Sequence, residues 1–529
     1  MKLFKFTNFL ANTFLCVLLF ITLTGAIALL PANINGVSNS FIKVIDYLIL
    51  IAVLLVIIRT IRPNSWHKMI VMVKGALSEK MTWCILFFFM LIWQLSTIYL
   101  LSGTSTWDWM FLARQAYTAH PGWPWPDYGS NSPNNLFLLK VMRLYYQAIG
   151  QPTFKTFMYA LNLANVFFID LATWLLYRLA KSIWNKKTAC VTLAATLLIF
   201  TLVPFFVIPY SDTVSFLTTT LLLISLRELV HQKKNWRRIV IAILIGVQFT
   251  IAYFIKPSTV ILFLAALLVL VIWFFRSDQK RKNWWAITLA LSVSVLSFVI
   301  TQPVTKNYLY YHNGILKVDS SEAFPMSHFA AMGITGNGDF SGVDRYRSVS
   351  IKDPKKRNED AWLRIHQRFE AQGRWMGYQR FLVHKQIMNS ADGSLGWGHE
   401  DYYLKVFDWN NKDLNRTLQR RAFVDSDGIA REDRFNFRLI QQIIWIIAII
   451  MMLFSLLDSS LVALYLKIAT IGFFTFLLVF EGGRSRYLIQ FLPVLFLLVG
   501  MGYRQLKIQM VRFRLVEWKE KKVEGEGGV

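Results

Sequence analysis

The chain is poor in the residues from which metal, disulfide and nucleotide chemistry is built. Only three cysteines occur in 529 residues: Cys16, Cys84 and Cys190. Each falls in an apolar run, so neither a ligand spacing nor a disulfide framework follows, and they read as small buried apolar residues. Histidine is scarce as well, and His120, His328 and His399 show no ligand spacing. No P-loop, dinucleotide fingerprint or HExxH-type motif occurs, and no internal repeat is evident. Acidic residues number 31 against 57 Lys and Arg, a formal net charge of +26. In a soluble protein that excess would suggest nucleic acid, but no RNP-like, finger or basic-zipper pattern accompanies it, which argues against a nucleic-acid partner.

What the chain has in abundance is long hydrophobic runs. Its residues are 55% hydrophobic, above the roughly 45–50% of soluble domains. A soluble fold would need one core larger than the usual limit of about 250–300 residues. Runs of roughly 18 or more apolar residues span a bilayer as helices. The fold class expected is therefore all-α, a polytopic membrane bundle of about twelve spans with interfacial helices and a small external α-rich loop domain. The spans fall near 9–30, 42–58, 82–102, 156–177, 188–207, 214–230, 239–255, 258–275, 284–304, 439–457, 461–480 and 487–503. The basic, apolar start reads as a first span that is kept, because it is too long for a signal core.

Orientation follows from the short loops. Arg59, Arg62, Lys68, Lys74 and Lys80 fall on one side if the spans alternate. So do Lys181, Lys186 and Lys187, the Lys233–Arg238 and Arg276–Lys282 loops, and the basic tail. That side should be the cytoplasm, with both termini inside. The expected organisation is an N-terminal membrane module 1–304, including an outer loop 103–155, then an outer loop 305–436, C-terminal spans 437–503 and a basic tail 504–529. Loop 103–155 is rich in aromatics and prolines, which favour the headgroup zone. The stretch 136–150 that ends it reads as an amphipathic interfacial helix. Around 362–388 an apolar stripe at helical spacing predicts another helix.

Four polar constellations fall on the outer face: Asp108 after the third span, Tyr210 and Asp212 in the Pro-Tyr-Ser-Asp-Thr turn, Lys256 before Pro257, and Arg484 with Arg486 before the last span. A carboxylate there can deprotonate a hydroxyl. Neighbouring cations can hold a phosphate, Arg through forked hydrogen bonds and Lys as a point charge. Each residue also has a plainer use: a helix cap or turn for the aspartates, snorkelling to headgroups for Lys256, anchorage of a span end for the arginines. Asp46 and Asp170, the latter accompanied by Asn162 and Asn165, lie within spans, where acids mark function or polar packing.

The layout resembles the GT-C superfamily of polytopic glycosyltransferases, in a Gram-positive-type branch related to the protein mannosyltransferase and aminoarabinose transferase group. Trp107-Asp108 matches the acidic residue that follows the first span before a long external loop. Tyr128 to Leu136 resembles an interrupted Tyr-Pro-Asn-Asn-Leu motif that includes Asn134 and Asn135. The Asp212 turn resembles a second acidic motif, and Arg486-Tyr487-Leu488 followed by Leu492-Pro493 resembles a terminal Arg-Tyr-Leu…Leu-Pro pattern. Met332 to Gly338 and Asp392 to Gly398 are similar to loop segments of that branch. The paired-acid signature of some members is absent, since Trp109 follows Asp108.

The resemblance implies transfer of a sugar from a polyprenyl-phosphate carrier to a cell-surface glycopolymer, or to a protein, outside the cell membrane. Asp108 and Asp212 would be catalytic, with Asp108 the general base. Lys256, Arg484, Arg486, Tyr210, His120, Asn134 and Asn135 would bind substrate. It leaves a divalent cation, magnesium or manganese, open. A polysaccharide polymerase using the same carriers, or a lipid-linked sugar flippase or transporter, is the alternative. A transporter should show pseudo-symmetric halves and broken midplane helices, whereas here the polar mass is asymmetric.

Overall fold

The computed structural model describes residues 2–35, 79–118, 127–275, 281–399, 403–431 and 437–526. The expected span 42–58, Asp46 and His120 lie outside them. Among the described residues ten helices are long and apolar enough to cross a membrane, and the fold is all-α. The long elements are α1 (Lys2–Ala28), α2 (Glu79–Leu101), α5 (Phe154–Ile183), α7 (Ser211–His231), α8 (Asn235–Ile255), α9 (Val260–Phe274), α10 (Arg281–Tyr311), α15 (Arg438–Ser455), α16 (Leu461–Val479) and α17 (Leu492–Glu526). Between them run α3 (Asp108–Tyr117), α4 (Leu136–Ala148), α6 (Lys186–Thr196), α11 (Met326–Met332), α12 (Gly342–Ser350), α13 (Pro354–Ala371) and α14 (Arg374–Ser390).

The Ser485–Arg512 segment, a 3₁₀ turn leading into α17, forms the centre of the bundle: 94% of its apolar window is buried. It is flanked by α6, α15 and α16. In lipid, polar side chains and close packing hold helices together. Thr250 and Thr301 share a hydrogen bond of 2.6 Å between α8 and α10. The intramembrane polar residues of α5 are likewise spent on neighbours. Asn162 donates to Ser102 Oγ (2.7 Å) and Asp170 accepts from Gln94 (2.8 Å).

Two expectations are corrected. The span 188–207 is not one regular helix: α6 passes into a π-turn (Leu197–Thr201) and a 3₁₀ turn (Pro204–Val207). Pro204 and Pro209 lack N–H donors and break the ladder. Irregular backbone survives at such depth only where neighbours satisfy it. Trp93 Nε1 donates to Leu202 O at 2.9 Å, and Asn165 Nδ2 to Phe206 O and Ile208 O at 3.1 and 3.2 Å. Second, Cys16, Cys84 and Cys190 are free and exposed on outer helix surfaces rather than buried, which suits a weakly polar thiol in lipid.

The helix expected around 362–388 is two helices, α13 and α14, parted by Gly373 at φ +81°. Around them Asp344 is buried between Arg364 (2.9 Å) and Arg368 (2.6 Å). His328 is buried against Ser348 Oγ at 2.8 Å, and burial pushes its imidazole down to about 4, so it is neutral and structural. The end of α14 and the turn after it enter the bundle wall. Gln386 and Ser390 bond to Thr22 of α1, and Trp445 Nε1 of α15 donates to Ser390 O at 2.8 Å.

A two-residue antiparallel ladder, β1 (Gly103–Thr104) with β2 (Lys405–Val406), stitches the first loop to the second. A methyl at Gly103 would overlap the Lys405 carbonyl. Gly103→Ala is expected to lower stability by about 1–3 kcal/mol, the usual cost of overpacking. Thermal unfolding of the detergent-solubilised protein checks it, and an unchanged midpoint would show that the strands need not approach so closely.

Candidate functional site

The site forms where the irregular end of α6 turns into α7. Asn165 pins the Phe206 and Ile208 carbonyls, which fixes the approach of Pro209 and sets Tyr210 in extended conformation as the N-cap of α7. Asp212 then falls in the first turn, where the helix dipole favours a carboxylate, and it is buried. Asp108 opens α3 in the same way, directly after the extended Trp107.

The hydroxyl of Tyr210 donates to Asp108 Oδ2 at 3.3 Å. Tyr128 also reaches that carboxylate, and Asn135 Nδ2 donates to the Tyr128 hydroxyl at 2.8 Å. Burial first, then the Asp108 charge, pushes both phenols well above their ordinary range. They are therefore neutral donors. Among the described residues Asp108 has no cation in ion-pair contact and is half-buried.

Asp212 is in the opposite state. Lys256 Nζ, held between α8 and the Pro257–Thr259 turn, lies 2.8 Å from its Oδ1, and Arg486 Nε lies 3.6 Å from its Oδ2. Two cations thus share one carboxylate. Arg486 is also boxed by rings: its guanidinium carbon is 4.5 Å from the Trp107 centroid, 5.5 Å from Tyr487 and 5.9 Å from Tyr210. Lys256 stands 5.4 Å from Tyr487 and 5.7 Å from Tyr210. Such cation–π contacts hold a cation without neutralising it. Behind Trp107 pack Tyr403 and, against Tyr403, Trp397. Asp392 accepts from the Ser394 and Gly396 N–H groups at 2.9 Å each, shaping the turn that passes the Arg486 backbone.

The loop carrying Arg486 is held from the segment between α10 and α15. Gly483, at φ +68°, donates to Asn389 Oδ1 at 2.6 Å, and Gly482 to Gly338 O at 2.7 Å. Arg484 turns away from Asp212 toward Asp339, 3.8 Å off. Tyr487 donates to Glu481 at 2.6 Å. Beneath lies Lys385, fully buried, whose Nζ donates to Gly333 O, Phe480 O and Leu478 O at 2.6, 2.7 and 3.0 Å. Burial pushes its ammonium down to about 7, against the raising pull of Glu481 and Asp339. The unfolded chain therefore binds more protons here between about pH 7 and the ordinary lysine value, so this group makes stability rise with pH across that window. The full effect of one proton is about 1.4 kcal/mol per pH unit. Lys385→Met is expected to flatten the pH dependence of the unfolding midpoint above pH 7. Parallel wild-type and variant curves would reject it.

The structure thus brings together Asp108, Tyr210, Asp212, Lys256 and Arg486, with Asn135 one step behind through Tyr128. Arg484 sits at the edge on Asp339, Asn134 is half-buried in the turn before α4, and His120 lies outside the described residues. Trp107, Tyr128 and Tyr487 are parts of the site that were not singled out as site residues, although each adjoins one or sits in a quoted motif. Both Asp212 oxygens face ammonium or guanidinium, and among the described residues no three His, Cys, Asp or Glu side chains gather as ligands.

A solved structure, the archaeal oligosaccharyltransferase AglB from Archaeoglobus fulgidus in complex with an inhibitory peptide and a dolichol-phosphate, is similar at 12% identity and a TM-score of 0.40. The match covers 81% of this chain and 51% of that one, so the chain spans about half its length; a likeness of that size carries no argument about chemistry. No curated protein sequence matches. A family model described as "Conserved hypothetical integral membrane protein" matches residues 3–507, nearly the whole chain, and the protein belongs to that family of integral membrane proteins.

Proposed function

We propose that this protein is an inverting glycosyltransferase of the GT-C type, moving a sugar from a polyprenyl-phosphate carrier to a cell-surface glycopolymer at the extracytoplasmic face. One observation carries the reading. Asp108, a carboxylate with no cation in ion-pair contact among the described residues but held by neutral hydroxyl donors, stands beside two cations that share a single carboxylate. A carboxylate not already neutralised by a cation can accept a proton, and two cations that share one carboxylate can hold a phosphate. The basic loops support an orientation with both termini inside, in which the site faces outward. The motifs around Asp108, Asp212 and Arg486 resemble those of the GT-C superfamily.

In this reading the acceptor hydroxyl oxygen attacks the anomeric carbon while its proton passes to Asp108. The bond from that carbon to the phosphate oxygen breaks, and its electron pair leaves with the lipid phosphate. Lys256 and Arg486 stabilise the phosphate as its charge grows. The leaving group is already good, so positioning and charge outweigh acid assistance. Asp212 keeps the two cations in place, a positioning role.

Mass analysis of surface polymers and lipid-linked sugars, with and without the gene, tests the proposal. Loss of one sugar decoration with build-up of its monophosphate carrier is the expected result. Build-up of an oligosaccharide on a lipid diphosphate would mean a polymerase, and an unchanged surface would reject transfer altogether.

A further inference from the structure

We infer that the end of the bundle away from Asp108 carries a groove for the headgroup of an anionic phospholipid, formed where the start of α6 meets the Tyr503–Arg512 stretch of α17. A cavity of about 660 Å³ lies there, and Lys187, Arg504, Lys507 and Arg512 line it. Its electrostatics are one-sided. Arg504 is 3.3 Å from Asp458, which Gln505 also holds. Lys187, Lys507 and Arg512 are exposed and make no ion pair among the described residues. A concave surface with surplus cations attracts an anion far more strongly than scattered charge does.

The groove also has an apolar wall. Arg504, Ile508 and Arg512 recur at four-residue spacing, with Lys507 and Val511 interleaved, so cations and aliphatic side chains share one helical stripe. A free phosphate would use the cations alone. A lipid uses both, its phosphate on the cations and the start of its acyl chains on Ile508 and Val511. Depth agrees. At 1.5 Å per residue, Lys507 and Arg512 stand roughly 22–30 Å along α17 from Leu492, which follows Arg486 closely. That is close to the thickness of the hydrocarbon layer, about 30 Å, so the groove falls at the opposite headgroup level. Retention of basic loops by the positive-inside rule accounts for the sign of the charge but requires no cavity.

Native mass spectrometry of the full-length protein in detergent, titrated with phosphatidylglycerol, phosphatidylcholine or inorganic phosphate, tests this. Phosphatidylglycerol is expected to bind at least about tenfold more tightly than phosphatidylcholine and to withstand excess phosphate. The triple variant Lys187→Gln, Lys507→Gln, Arg512→Gln should lose that preference at an unchanged unfolding midpoint. The variant Lys187→Arg, Lys507→Arg should keep it. Equal binding of the two lipids, a preference that survives the triple variant, or displacement of phosphatidylglycerol by phosphate would overturn the assignment.

Discussion

Asp108→Asn is expected to lower sugar transfer by about 10²–10⁴-fold, the usual contribution of a general base, while the unfolding midpoint stays near that of the parent. The structure gives reasons for both halves. The carboxamide has the shape of the carboxylate and, turned so that its one oxygen takes the place of Oδ2, still accepts from the Tyr210 hydroxyl. No cation is in ion-pair contact with Asp108 among the described residues, so removing its charge strands nothing. The burial of Tyr210 and Tyr128 is unchanged, and the rise of their phenols that the Asp108 charge causes is relieved. What disappears is the basicity. The measurement is transfer of a labelled sugar from lipid-linked donor to acceptor in membranes containing equal amounts of each protein, alongside thermal unfolding. Undiminished transfer would remove Asp108 from the role of base. Loss of transfer together with a collapse of the midpoint would make it a structural residue instead.

Asp212→Asn has the opposite signature: a loss of stability of about 3–5 kcal/mol, the cost of breaking a buried ion pair from one side. The side chains of Asp212, Lys256 and Arg486 are only 5%, 15% and 11% exposed, so water cannot take over the role of the carboxylate. With Asp212 neutral, the two cations, both set against the rings of Tyr210 and Tyr487, lose the carboxylate they share. Lys256→Met should partly restore the midpoint in the Asp212→Asn background, because it removes one stranded cation. The same change alone should cost less than Asp212→Asn, since Arg486 still faces the aspartate. A double-mutant cycle on thermal unfolding measures this directly. Additive effects would mean that the ion pair is solvent-screened and that Asp212 does not organise the cations.

The two aspartates look alike in the sequence: each lies near a span end, each in an aromatic or proline-rich context. Their difference is a matter of partners. Lys256 is 44 residues from Asp212 and Arg486 is 274 away, and no local pattern specifies that both converge on it rather than on Asp108. Arg484 and Arg486 are equally indistinguishable by spacing. The positive φ of Gly483 and its bond to Asn389 turn the loop so that Arg486 meets Asp212 and Arg484 meets Asp339. The break within 188–207 was announced by Pro204, but whether a proline kinks a span or ends it depends on who satisfies the freed carbonyls. Here Asn165 and Trp93 do.

By itself the sequence determined that this is a membrane protein, where most of its helices begin and end, and which polar residues stand at their ends. Those follow from runs of apolar residues long enough to cross hydrocarbon, each readable without its neighbours, because a helix closes its own backbone hydrogen bonds. Tertiary structure alone decided which of those polar residues meet, and that two cations converge on Asp212 while Asp108, among the described residues, meets neutral hydroxyls. Such pairings join residues from 44 to 274 positions apart and are selected by the packing of whole helices and by desolvation at their contacts, neither of which a local stretch of sequence encodes.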